Sequence, residues 1–325
     1  MRAIVQARYG SPDVLHLAEI GRPAAGDGEV LIRVAAAGLD RGTWHQMAGQ
    51  PYLIRLVSGL RAPRNPVPGL DVAGPVAAVG ADVTRFAVGE EVFGIGHGSF
   101  AGYACARPDK LARKPAGLTF AQAAAVAVSG LTALQGLRDA GRLRPGQHVL
   151  ITGASGGVGT FAVQIAKALG ARVTGVCSTA KAGLVSSIGA DHVLDYTRDD
   201  FAAGPPRYDL ILDIGGNAAL SRLRRALTAA GTLVVVGGED GGRWTGMSRQ
   251  LRALALSLFT RQQLTTFISR HRLADLETLA QLIDAGQLTP IIGKTYPLRQ
   301  APDAMRDLLA GHARGKLVIT VTGAG

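Results

Sequence analysis

The stretch VLITGASGGVGTFAVQIAKALG, which begins at Val149, restricts the fold more than any other part of this 325-residue chain. VLITG reads as a buried strand and VGTFAVQIAKALG as the helix that leaves it. Gly153, Gly156, Gly157 and Gly159 cluster at the junction. Glycine there permits a tight turn and lets backbone N–H groups approach a pyrophosphate, which the positive end of the helix favours. Gly159 and the small Ala162 would let helix and strand pack closely. With a further strand following, the pattern predicts a dinucleotide site.

The next strand bears on which dinucleotide. Sites for the unphosphorylated coenzyme place an acidic residue at its end, roughly 20 residues on, to hold the ribose 2′-hydroxyl. Here RVTGVCS ends in Ser178, Thr179, Ala180 and Lys181, and no Asp or Glu occurs between Asp139 and Asp191. A 2′-phosphate would find hydroxyl donors and an ammonium and meet no repelling carboxylate. NADPH is therefore expected; the alternative is an ordinary solvated turn with an N-cap serine.

Around this junction the chain reads as two domains. Residues up to about 120 carry short β-like runs punctuated by Gly and Pro (MRAIVQA, GEVLIRVAAAGL, DVAGPVAAVG, EEVFGIG, GYACAR). TFAQAAAVAVSGLTALQGLRDAG reads as helix. Strands and helices then alternate through YDLILDIGG and TLVVVGG, as in a doubly wound parallel sheet that TLVVVGG would end. After Gly246 the pattern is of amphipathic helices, including RQLRALALSLFTRQQLTTF, an interface or cleft-mouth candidate. The helix APDAMRDLLAG and a strand KLVITVTG, which would return to the first domain, follow. The expected fold is α/β: a Rossmann domain, residues 121–269, inserted into a β-rich domain of residues 1–120 and 270–325, with a cleft between.

Bulk properties narrow the partners. A net charge of +11 suggests an anionic ligand. The arginines are scattered and aromatics few, which speaks against nucleic acid. No apolar run of about 20 residues suggests a membrane span. The N-terminal residues lack a signal-peptide core, and Cys105 and Cys177 stand far apart as expected free thiols, so a cytoplasmic setting is expected.

GLDVAGPVAAVGADVTRFAVGEEVFG, AAAVAVSGLTALQGL, GASGGVGTFAVQIAKALGA and GADHVLDY, in that order, resemble the medium-chain dehydrogenase/reductase superfamily. The likeness is greatest to its zinc-independent quinone oxidoreductase and enone reductase branch, and the resemblance makes the β-rich domain GroES-like. It implies that Thr132 lies near the nicotinamide, that Gly153, Ala154, Ser155, Gly156, Gly157 and Val158 follow the pyrophosphate, and that Ser178, Thr179 and Lys181 hold the adenosine end. Tyr196 is implied near the adenosine phosphate, Gly215, Gly216, Gly237 and Gly238 near the nicotinamide, and Lys316 in the same cleft. A homodimer, paired through the TLVVVGG edge, is also implied.

Zinc enzymes of the superfamily carry a catalytic cysteine, a His–Glu pair in GHE and a four-cysteine lobe. Here Leu39 or Asp40 falls near the cysteine's place, Gly69, Leu70 and Asp71 replace GHE, and two cysteines cannot build the lobe. Asp40, His45 and His97 are the residual metal candidates, and no metal is expected. Without a Lewis acid the expected reaction is NADPH-dependent hydride transfer to a quinone or α,β-unsaturated carbonyl, which needs orientation, enolate stabilisation and a proton. Asp40, Trp44, His45 and Tyr52 would face the substrate, with Tyr52 the candidate proton donor and His45 the alternative. Where relatives carry Asn and Glu, this chain has Asp40 and Gly102. Alternatives are an NAD(P)-dependent alcohol dehydrogenase or carbonyl reductase, an acyl-CoA-type enoyl reductase, and a low-turnover NADPH-binding protein that senses redox state or binds RNA.

Overall fold

A computed structural model describes residues 1–205, 207–237, 244 and 246–321. The chain opens with β1 (Arg2–Val5), β2 (His16–Glu19), β3 (Val30–Arg33) and β4 (Ala36–Leu39), then α1 (Arg41–Ala48) and α2 (Arg55–Ser58). Next come β5 (Asp71–Val79), β6 (Glu91–Ile95), β7 (Tyr103–Ala106) and β8 (Leu111–Arg113). The expected single helix is two, α3 (Phe120–Ala124) and α4 (Ala127–Gln135). Then follow β9 (His148–Thr152), α5 (Gly157–Ala168), β10 (Arg172–Cys177), α6 (Ala182–Ser187), β11 (His192–Asp195), β12 (Tyr208–Asp213), α7 (Leu220–Ala226) and β13 (Leu227–Val235). α8 (Ser248–Ser257), β14 (Gln263–Thr266), α9 (Leu273–Asp284), β15 (Ile292–Pro297), α10 (Ala301–Leu309) and β16 (Lys316–Thr320) complete it.

These elements form two compact units: Met1–Leu131 with Arg270–Gly286 and Pro290–Gly325, and Thr132–Ser269 with Gln287–Thr289. In the first, β15, β16, β4, β5, β3 and β7 are neighbours in that order, and β6 bridges β5 to β8. β16 lies antiparallel to β4, with Val318 opposite Gly38, so the final strand does return to the first unit. Ile32, Leu39, Met47, Val72, Phe100, Met305 and Ile319 belong to its buried core. Burial of each such side chain contributes about 1.5–3 kcal/mol.

The second unit is a six-stranded sheet in the order β11-β10-β9-β12-β13-β14, parallel at every pairing. Counted within the unit this is the 3-2-1-4-5-6 order of a dinucleotide-binding fold. The strands are apolar runs rather than alternations because helices cover both faces of such a sheet; Val149, Leu150 and Ile151 are wholly buried. α5 packs Phe161, Ala162, Val163, Ile165 and Ala166 inward.

One expectation is corrected here. TLVVVGG, whose first residues lie in β13, does not end the sheet: β14 pairs outside it, with Leu233 opposite Leu264. QLTT, which falls in a stretch of helical spacing, forms that strand. The Thr260 hydroxyl accepts from Gln262 N–H at 3.0 Å and the Ser257 hydroxyl from Leu264 N–H at 3.0 Å. Those bonds turn the chain after α8, and the β-branched threonines fit the pleated edge.

Candidate active site and coenzyme crevice

The glycine junction lies at the carboxyl end of β9, between β10 and β12, where such a sheet reverses its winding and opens a crevice. Gly153 has φ +68°, and a Cβ there would come within 3.1 Å of Gly215 N. At Gly159 a Cβ would lie 2.1 Å from Gly153 O, so the first turn of α5 sits directly on the loop backbone. Gly156 is the N-cap of α5, and Gly157 and Val158 open its first turn; Ala154 and Ser155 are buried beneath. At Gly237 a Cβ would meet Ile214 O at 2.1 Å. The structure thus gathers the loops after β9, β12 and β13 at one end of the sheet. Gly216 lies in the loop after β12, while Gly238 falls outside the described residues.

Beneath these loops is a network absent from the sequence reading. Asp213, wholly buried at the end of β12, accepts from Thr152 Oγ1 at 2.7 Å; Gly215 N–H donates to that same hydroxyl oxygen at 3.0 Å. Arg249, at the start of α8, donates to Asp213 Oδ2 and to Gly216 O. Burial holds the Asp213 carboxyl above its usual range, with Arg249 pulling the other way. The α8 segment therefore has a definite role within its unit: it pins the loop after β12. A cavity of about 760 Å³ beside it is lined in part by Asn217, Arg249, Arg252, Leu256 and Phe259.

Ser178, Thr179 and Lys181 follow the end of β10, and Tyr196 N–H donates to Cys177 O at 3.1 Å, with its ring exposed. The expectation that no carboxylate is present there is corrected. β11 brings Asp195 into register with Cys177, and the Thr179 hydroxyl donates to Asp195. Thr179 and Thr197 together hold the Asp195 carboxyl below its usual range, and Arg198 Nε lies 4.0 Å away. The carboxylate comes from the neighbouring strand, so a search along the end of β10 alone could not find it.

The first unit holds the other candidates. Asp40 is the N-cap of α1: its Oδ1 accepts from Thr43 N–H at 2.8 Å. α1 carries Trp44 and His45, whose rings lie 4.6 Å apart. His45 Nδ1 is 2.6 Å from Gln50 O, so that nitrogen carries a proton. Arg55 lies over the rings of Tyr52, at 4.8 Å, and of Tyr9. Lys316, expected with the coenzyme, is instead buried and committed to Asp71 at 2.7 Å, to Ser129 at 3.1 Å and, more loosely, to Asp40 at 3.8 Å. Gly38 makes room for this: a Cβ there would lie 2.5 Å from Asp71 Oδ2.

Zinc does not fit these residues. One Asp40 oxygen is spent on the helix cap and Asp71 is paired to an ammonium, whereas catalytic zinc wants three protein ligands. Among the described residues no group of three or more His, Cys, Asp or Glu could hold a metal ion. His97 is exposed on a bridge to Cys105. No helix among the described residues is long and apolar enough to cross a membrane.

Residues 26–186 match the alcohol dehydrogenase GroES-like domain family, and residues 188–319 the family described as zinc-binding dehydrogenase. The chloroplast envelope quinone oxidoreductase homolog of Arabidopsis thaliana is 30% identical over 98% of this chain and 98% of its own. The chain belongs to the medium-chain dehydrogenase/reductase superfamily, in its quinone oxidoreductase-like branch. The 2-methylene-furan-3-one reductase of Solanum lycopersicum is also 30% identical, over 98% of this chain and 79% of its own. Among solved structures, the quinone oxidoreductase of Escherichia coli complexed with NADPH superposes with a TM-score of 0.84 at 26% identity, covering 99% of this chain and 100% of that one. As a medium-chain dehydrogenase/reductase the protein is an oxidoreductase that uses a nicotinamide coenzyme.

Proposed function

We propose that this protein uses NADPH to reduce quinones or α,β-unsaturated carbonyls without zinc. The observation that carries the reading is the pairing of a glycine-lined crevice with a GroES-like unit whose family zinc positions hold Asp40, Leu70 and an Asp71 bound to Lys316. Gly153–Val158 would take the pyrophosphate on backbone N–H groups, and Ser178 and Lys181 the 2′-phosphate, with Arg198 offsetting the charge of Asp195. Thr132 would lie toward the nicotinamide. The coenzyme, when bound, supplies the hydride.

The rest of the chemistry is the chain's own. A conjugated carbonyl already makes its β-carbon electrophilic, so the protein need only orient it, exclude water and deliver one proton. Trp44 offers an apolar face for the substrate, and Tyr52 or His45 would protonate the oxygen or α-carbon as charge arrives there. We further read the protein as a cytoplasmic homodimer, which light scattering tests.

NADPH oxidation with an enone, a quinone, and the matching saturated alcohol with NADP⁺ tests the main reading. Reduction of the first two, unaffected by a chelator, is expected; chelator-sensitive alcohol oxidation as the dominant activity would overturn it.

A further inference from the structure

Two carboxylates and one ammonium are shut into the interior of the first unit. Asp71 is 0%, Lys316 1% and Asp40 7% exposed, and Asp40 Oδ2 accepts no hydrogen bond among the described residues. Fully ionised, the cluster carries a net charge of −1 in a buried interior, an arrangement that a purely structural core would do better without. Its connections run to the elements that carry the candidate site. Asp40 caps α1, with its Trp44 and His45. Asp71 Oδ1 accepts from Val128 N–H, at the start of α4, at 2.7 Å. Ser129, bonded to Lys316, precedes Thr132 by one turn of that helix.

We propose that Asp40, Asp71 and Lys316 are positioning residues that form a proton-titrated charge governing the rate of substrate reduction. The inference rests on the reductase reading above. When Asp71 is ionised, the net negative cluster opposes the negative charge that develops on the substrate oxygen as hydride reaches the β-carbon. When Asp71 is protonated, Lys316 and Asp40 balance and the opposition disappears. No covalent step passes through the cluster: the hydride comes from the coenzyme and the product's proton from Tyr52 or His45.

The groups facing Asp71 are Lys316, Asp40 and the Val128 amide. Burial raises its pKa to about 6, Asp40 adds to the rise and Lys316 opposes it, so the change of charge falls within an accessible assay range. On the Asp40 side, His271 senses both Lys110 and Asp40 and is held below its usual pKa mainly by burial.

The test is kcat and KM for an enone and a quinone with NADPH, measured from about pH 5 to about pH 8, in the wild type, Asp71→Asn and Asp40→Asn. Asparagine still caps a helix, so the second variant keeps α1 while removing one charge. Wild-type kcat should fall roughly tenfold as pH rises through about 6, the scale of effect one unit charge exerts through an effective dielectric of about 20. KM should hold steady. Asp71→Asn should flatten the profile to within about twofold, while Asp40→Asn, which removes a charge that raises the Asp71 pKa, should move the fall to lower pH, so either one, if folded by its melting curve, decides the matter. A wild-type profile kept in a folded variant, or a uniform drop at every pH, would overturn the proposal while leaving the reductase reading intact. No turnover of either substrate by the wild type would remove the reductase reading itself, and the cluster's role with it.

Discussion

Arg249→Met removes the cation facing Asp213 and keeps an unbranched side chain of similar reach. The pair is deeply placed, with side-chain exposures of 15% for Arg249 and 0% for Asp213. Removing one partner of such a pair costs about 3–5 kcal/mol, most of it the price of leaving a buried charge uncompensated. Thr152 Oγ1 and the Gly216 amide still bond Asp213, which favours the lower end. For a chain of this length the unfolding entropy is about 0.7 kcal/mol/K, so cooperative melting should move down by about 4–7 °C. The sign of the pH dependence follows from Asp213. Its folded pKa already lies above the unfolded value, so its contribution to stability is present at low pH and lost as pH rises through the folded pKa. Without Arg249 that pKa climbs further, and the variant's deficit should widen as pH rises and shrink on acidification. Melting curves of the wild type, Arg249→Met, Asp213→Asn and the double variant, across pH, measure both effects. A coupling energy below about 0.5 kcal/mol, or a deficit independent of pH, would refute the reasoning.

Asp195→Asn removes a carboxylate beside Thr179 and should lower KM for NADPH more than for NADH, read in parallel titrations of the two coenzymes. Lys181→Ala should do the opposite, raising KM for NADPH by roughly tenfold or more with little effect on NADH; equal effects would remove the 2′-phosphate assignment. Gly159→Val places a Cβ 2.1 Å from Gly153 O and should abolish NADPH binding in a fluorescence titration, because the phosphate loop must shift. Tyr52→Phe should lower kcat by about 10²-fold or more with KM little changed if the phenol is the proton donor; a normal kcat would pass the role to His45, tested by His45→Gln.

The sheet of the second unit was legible because local signals agreed: a glycine-rich loop between an apolar strand and an apolar helix, then regular alternation. The final strand was legible from its apolar pattern. What escaped were pairings of distant residues. Lys316 meets Ser129 across 187 positions, Arg249 meets Asp213 across 36, and Asp195 meets Thr179 across 16. In each case the side chain's local sequence is unremarked, and only the register of sheet neighbours or the closure of a unit sets its partner. β14 escaped for another reason: four residues beside an amphipathic helix carry too short a period to separate strand from helix.

The first unit is built from segments that lie on both sides of the second in the chain, and β16 fills the place between β15 and β4. During synthesis on the ribosome, the parallel sheet can therefore close while its companion still lacks two strands. Over that interval the edge of β4 is open, and Asp40 and Asp71 wait for an ammonium that is translated among the last. A nascent chain halted before Lys316 would hold a finished nucleotide fold beside an unsealed one, the state that chaperones and proteases are most apt to recognise.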